Sequence, residues 1–226
     1  RRRRHCEAEL TLNRRTAPEL YLSVQPITRD ASGRLRIGGE GEAVDWLVVM
    51  RRFDQEALLD RMAARGAVDR ALILALTDRI VAFHKEAEAV PSFGGAANAA
   101  AVLRGDIENL RRGVPRPFDR NAVERLAAGS EAALARIGGV LDRRRDMSRV
   151  RRCHGDLHLR NICLFEGRPT LFDCIEFNDA IACIDVLYDL AFLLMDLDHR
   201  GLRPLANAVF NRYFDLSAEE EGDLVV

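Results

Sequence analysis

A chain of 226 residues, 48% hydrophobic and 31% charged, is long enough to bury a core and too apolar to remain disordered. Its formal charge of −1 creates no overall field to attract nucleic acid or an anionic membrane, so neither is an expected partner. No run of about 18 apolar residues could span a bilayer, and no apolar segment follows the opening arginines, so a cytoplasmic location is expected.

In chain order, RRRRHCEAELTLNRR sets Cys6, Leu10 and Asn13 at helical spacing among charges, which predicts an amphipathic helix. Its arginine-rich start has no capping residue, the look of a helix that has been cut. ELYLSVQPI and VDWLVVM are rich in β-formers, and the polar stretch between them predicts two strands joined by a Gly-rich hairpin. Ile37–Ala43 (IGGEGEA) is read as that turn rather than a phosphate loop, because no helix follows it to offer an N-terminus to an anion.

From Asp54 the apolar residues recur at three- and four-residue steps, with Gly66 predicted to divide two helices. A looser PSFGGAANAA leads to helices predicted over Val102–Arg111 and Asn121–Arg145. The arginines Arg143–Arg145, Arg149, Arg151 and Arg152 read as a solvated helix end. NICLFEGRPTLFDCIEF predicts strands Ile162–Phe165 and Thr170–Phe172 with a turn at Glu166 and Gly167. Ile184–Leu197 predicts a buried helix, and the final EEEGDLVV begins another.

The densest chemistry is HGDLHLRN, residues 154–161. His154 and His158 could be zinc ligands at i and i+4 with Asp156 or Asp173 as a third, the pattern of a metal-dependent hydrolase. Gly155 and the strand that follows favour a loop over the helix such a site needs. Five cysteines, Cys6, Cys153, Cys163, Cys174 and Cys183, form no CxxC pair, which argues against a disulfide framework or a Cys-rich zinc site.

Phosphoryl transfer from ATP instead needs a carboxylate to receive the proton of the attacking hydroxyl, and oxygen ligands for Mg²⁺. Asp156, Asn161 five residues later, and Asp173 beyond a hairpin supply that set in the order of a kinase catalytic loop and its metal-binding aspartate. HGDLHLRN followed by FDCIEF and then IDVLYDLAFLL resembles the aminoglycoside phosphotransferase family of small-molecule kinases. A narrower resemblance, carried by LNRRTAPELYL and the long segment from Cys153, is to the phosphotransferase half of bacterial bifunctional proteins that continue into a P-loop kinase domain.

The resemblance implies an α+β, protein-kinase-like two-lobe fold, with residues 1–50 as part of the small lobe and 51–226 as the helical large lobe. It implies ATP and Mg²⁺ as cofactors and a hydroxyl of a small molecule as acceptor. Asp156 would be the catalytic base, Asn161 and Asp173 the metal ligands, and His154 a brace for the loop. Asp189 would accept backbone amides of that loop, unless it is a solvent-facing helix aspartate. Met50–Phe53, including Arg51, would be the hinge that meets adenine, and Glu9, with Glu7 as second choice, would pair with the ATP lysine. The chain has one lysine, Lys85, on the wrong side of the hinge for that role. The expectation is therefore a fragment whose first strands lie upstream of Arg1, a P-loop domain lying beyond Val226. A catalytically impaired nucleotide-sensing module is the alternative.

Overall fold

The computed structural model describes residues 1–217 and 219. The helix expected from EEEGDLVV thus lies, Glu219 apart, outside the described residues. Helix α1 (Arg2–Asn13) leads to strands β1 (Tyr21–Arg29), β2 (Leu35–Ile37) and β3 (Glu42–Met50). These form an antiparallel sheet in the order β2-β1-β3, with Val24 opposite Val48 and Ile27 opposite Ile37. The connection expected to be only a turn therefore contains a strand. Asp30 accepts from the amides of Ser32 and Arg34, a local carboxylate turn that, with Gly33 at positive φ, folds Leu35–Ile37 back onto β1.

Beyond Met50 the body is mostly helical: α2 (Leu59–Ala64), α3 (Arg70–Glu86), α4 (Gly95–Arg112) and α5 (Arg120–Asp146). Gly66, at φ 71°, divides α2 from α3 as its sequence position suggests. Helix α4 starts well before Val102, because the alanines that looked loose are strong helix formers. Strand β4 (Val150–Arg152) then runs into the HGD segment, followed by the hairpin β5 (Ile162–Phe165) and β6 (Arg168–Leu171). A short α6 (Asp179–Ala182), β7 (Cys183–Asp185), α7 (Val186–His199) and α8 (Arg203–Leu216) complete the described chain. Ile184 lies in β7 rather than in the helix predicted from it, since β7 pairs antiparallel with β4 and Asp185 then caps α7 at the Leu187 amide.

The fold is mixed α+β, an N-terminal antiparallel sheet on a helical body. Its main core joins α2, α3, α7 and α8 through residues such as Leu59, Leu76, Ile80, Leu193 and Val209. Leu157, Leu159 and Ile162 of the HGD segment are sunk into it. A second cluster, with Leu20, Tyr21, Cys163 and Phe165 at its centre, ties the sheet to the β5–β6 hairpin. The loop between these clusters is thus held by apolar burial on both sides. All five cysteines are reduced and buried. Among the described residues no helix is long and apolar enough to cross a membrane.

The arginine cluster is not the solvated helix end expected. Arg144 is 0% exposed and makes a bidentate pair with Asp185 (2.7 and 2.8 Å) and a further bond to Glu219 (2.5 Å). Arg151 bonds the carbonyls of Lys85 and Ala87, and Arg152 pairs with Asp179. At the end of α1, neighbouring arginines turn to different elements. Arg14 donates to the carbonyls of Tyr21 and Leu22, while Arg15 donates to those of Arg152 and Cys153.

Candidate phosphoryl-transfer site

The HGD loop is shaped by one glycine. Gly155 has φ 82°, and a Cβ there would lie 2.9 Å from the Ile181 carbonyl oxygen, so no side chain fits between loop and neighbouring backbone. Leu157 and Leu159 then enter the core, and a 3₁₀ turn over Leu159–Asn161 delivers Asn161 beside Asp156. The Asn161 Nδ2 donates to both the main-chain oxygen and the Oδ2 of Asp156, each at 3.0 Å. His158 Nε2 lies 3.3 Å from the other oxygen, Oδ1. Both oxygens of a carboxylate that is 41% exposed are therefore oriented, and His158, for which the sequence suggested no role, is one of the two groups doing it.

The hairpin closes the second half. Ile162 pairs with Leu171, and the Phe172 amide donates to the Asn161 carbonyl, which sets Asp173 one residue beyond that point. Glu166 and Gly167, both at positive φ, make the tight turn. Asp173 itself has φ 65°, unusual for a residue with a side chain, and is held there from both sides. Its amide donates to the Tyr21 hydroxyl, and the next amide, of Cys174, donates to Asn13 Oδ1.

His154 is fully buried with Nε2 against the Phe172 carbonyl at 2.8 Å, so it braces the loop against the residue before Asp173. Burial alone would depress its pKa, but Cys174, Asp189 and the Phe172 carbonyl favour the protonated ring and raise it to about 9. The imidazoles of His154 and His158 thus serve different partners. Among the described residues the one grouping of three His, Cys or acidic donors within 4.8 Å is His84, Cys153 and Asp189. It is a buried set whose atoms are already engaged in hydrogen bonds.

Asp189 on α7 is 0% exposed, not a solvent-facing helix residue. Its Oδ1 accepts from the Gly155 amide (2.9 Å) and its Oδ2 from the His154 amide (3.1 Å) and His84 Nε2 (3.0 Å). Burial opposes its ionisation, yet the bond from His84, the nearby His154 and the Gly155 amide hold the carboxyl below its ordinary range.

Among the hinge residues, Met50 and Phe53 pack on the second cluster, and the Phe53 ring meets Phe172 edge-on at 5.4 Å. The Arg51 side chain turns to Glu166 at the hairpin tip (3.1 Å) and over Phe165. Of the two candidate glutamates, Glu7 is ion-paired to Arg3 on the exposed side. Glu9 is half-buried, and its carboxyl is raised by that burial and by the charges of Glu176 and Asp173. Lys85 donates to the Leu216 carbonyl at the end of α8, away from Glu9.

Because its carboxyl is held above the usual value, Glu9 disfavours the folded chain progressively as pH rises past the ordinary glutamate range. In residues 1–226, Glu9→Gln is expected to raise the thermal midpoint at pH 7 by about 1–3 °C, a small shift because water screens a half-exposed group. A lowered midpoint would show that Glu9 is already satisfied by a cation.

The sequence suggested no role for Glu176, in FDCIEF, or for Arg15, and it placed Asn13 on one helix face with Cys6 and Leu10 without revealing its bond to the Cys174 amide. It also suggested none for His84, although that residue continues the apolar line Leu76, Ile80 at four-residue steps.

A sequence model of the phosphotransferase enzyme family matches residues 3–224. Curated relatives include uncharacterized proteins of Mycobacterium tuberculosis and Mycobacterium bovis, each 29% identical over 219 residues. The match covers 91% of this chain and 40% of theirs, so the chain spans well under half the length of these relatives. No solved structure matches the chain significantly.

Proposed function

The chain belongs to the phosphotransferase enzyme family, and on that premise we propose that it moves the γ-phosphoryl group of ATP to a hydroxyl of a small molecule. The single observation that carries the reading is the grip on Asp156: Asn161 and His158 meet both oxygens of an accessible carboxylate on the HGD loop. A base so held can orient the acceptor hydroxyl and take its proton as the O–P bond forms.

Asn161 and Asp173 are the proposed Mg²⁺ ligands. The Asn161 amide nitrogen is committed to Asp156, which leaves its oxygen for a cation, and Asp173 would add a carboxylate; hard oxygen donors of this kind suit Mg²⁺. Held by Asn161 and Asp173, Mg²⁺ would supply positive charge to offset the negative charge developing in the transition state. Tyr21 and Asn13 hold the backbone of residues 173 and 174 so that the aspartate keeps its left-handed conformation. In the full-length protein, Asp173→Asn is expected to weaken Mg-ATP binding by about 10-fold or more while leaving metal-free ATP affinity nearly unchanged, as read by calorimetry with and without Mg²⁺. Equal affinities would remove Asp173 from the metal site.

Glu9, raised in pKa beside Asp173 and Glu176, is the proposed partner of the ATP-contacting cation, and Met50, Arg51 and Phe53 the adenine hinge. The proposed units are residues 1–50 and 51–226, and the proposed companion of the whole protein is a P-loop kinase domain after Val226. A nucleotide-sensing module without turnover is the competing reading; within residues 1–226 the one lysine, Lys85, is committed to the Leu216 carbonyl. Screening hydroxyl compounds for stimulated ATP consumption by the full-length protein separates the two. Mg-ATP binding with no stimulation by any acceptor class would favour the sensor.

A further inference from the structure

Asp189 joins the HGD loop to a second buried chain of groups, its Oδ2 shared between the His154 amide and His84. His84 on α3 links Nε2 to Asp189 Oδ2 (3.0 Å) and Nδ1 to the Tyr213 hydroxyl on α8 (2.8 Å). All three are essentially excluded from solvent, at 3%, 0% and 1% exposed for His84, Asp189 and Tyr213. A carboxylate acceptor requires a proton on Nε2, and Nδ1 shares the other hydrogen bond with the Tyr213 hydroxyl. Each polar group is satisfied, and none is needed for apolar packing, which leucine or phenylalanine would serve at less desolvation cost.

The chain of bonds is therefore continuous: the Tyr213 hydroxyl meets the imidazole, the imidazole donates to the Asp189 carboxylate, and that carboxylate accepts from the amides of His154 and Gly155. Gly155 immediately precedes Asp156. With two loop amides bound to a single carboxylate, a rotation of that carboxylate moves the base, and His84 is the side chain that fixes its rotation. Tyr213 in turn fixes the imidazole plane, as does the edge-on contact of the two rings at 5.7 Å.

We propose that His84 and Tyr213 are positioning residues for Asp156, acting through Asp189, so that the seating of α8 on α3 sets the geometry of the HGD loop. Helix α8 is fastened to α3 at two further points, Arg212 to Asp78 and Lys85 to the Leu216 carbonyl, so the hydroxyl arrives at Nδ1 on a fixed helix. The effect on turnover rests on the phosphotransferase reading; the effect on the loop does not.

The test uses the full-length protein and two readouts, amide exchange of the segment around residues 150–158 and steady-state ATP consumption with an active acceptor. Tyr213→Phe removes one oxygen atom. It is expected to speed exchange of the His154 and Gly155 amides by about tenfold without changing exchange in the β1–β3 sheet. Turnover should fall about 5–10-fold with an unchanged KM for ATP, since the base is displaced and the nucleotide contacts are not. His84→Gln, which keeps a donor toward Asp189, should retain more turnover than His84→Ala at equal folded fraction. Unaltered exchange at His154 and Gly155, or faster exchange spread equally over the sheet, would overturn the proposal. So would a loss of turnover explained wholly by unfolded protein. If the wild-type protein consumes no ATP with any acceptor, the phosphotransferase reading fails, and the exchange result still decides the coupling.

Discussion

Asp156→Ala in the full-length protein is expected to lower turnover by about 10²–10⁴-fold, the usual range for loss of a positioned base. Mg-ATP affinity should change by less than about threefold. The separation follows from how Asn161 is held. Its amide donates to the main-chain oxygen of Asp156 as well as to the carboxylate, and the first of these bonds survives any side-chain replacement. The proposed metal ligand therefore stays in place when the base is removed. Stability should hardly move, because the Asp156 side chain is substantially exposed and its neighbours Leu157 and Leu159 carry the loop's burial. Turnover within a factor of about two of wild type would remove Asp156 from the role of base.

The largest effect on stability is expected at Arg144. Arg144→Ala leaves the buried carboxylate of Asp185 without its guanidinium partner and leaves Glu219 to Arg149, at 3.4 Å. Burial works against the charge on Arg144, but its bonds to Asp185 and Glu219 outweigh that and hold it firmly protonated. Breaking such a pair from one side costs about 3–5 kcal/mol, a large share of the roughly 5–15 kcal/mol that holds a domain folded. The thermal midpoint should fall by about 6–20 °C. Arg212→Ala is the control: that arginine makes a similar bidentate contact with Asp78, but both partners are well exposed, and the expected cost is under about 1 kcal/mol. Similar shifts for the two variants would show that burial does not govern the Arg144 cluster.

The contrast also explains what could be read in advance. The placement of Asp156, Asn161 and Asp173 in one loop and hairpin, though not their roles, was legible because a turn and a two-strand register fix separations within one short stretch. Helices α3 and α5 were legible from apolar periodicity, and α5 within a residue at each end. Arg144 was misread because its partners lie 41 and 75 positions away, and nothing local distinguishes a buried arginine from its solvated neighbours. The His84 links to Asp189 and Tyr213, 105 and 129 positions apart, were hidden for the same reason. Strand β2 was missed at the opposite scale. Three residues are too few for a period, and the Asp30 side chain that reverses the backbone before them acts through hydrogen bonds that composition does not reveal.

The last turn of α1 has a mechanical consequence. Arg14 grips the first carbonyls of β1, Arg15 grips the carbonyls that lead into His154, and Asn13 holds the amide after Asp173. Three successive residues thus rivet sheet, loop and hairpin at one place, while Met50–Phe53 joins them covalently at another. Tyr21, bonded to the Asp173 amide, and the apolar cluster beneath the β5–β6 hairpin add further fastenings. The sheet, the HGD loop and the hairpin are therefore braced as one frame, and a strain placed on any one of them is shared by the other two.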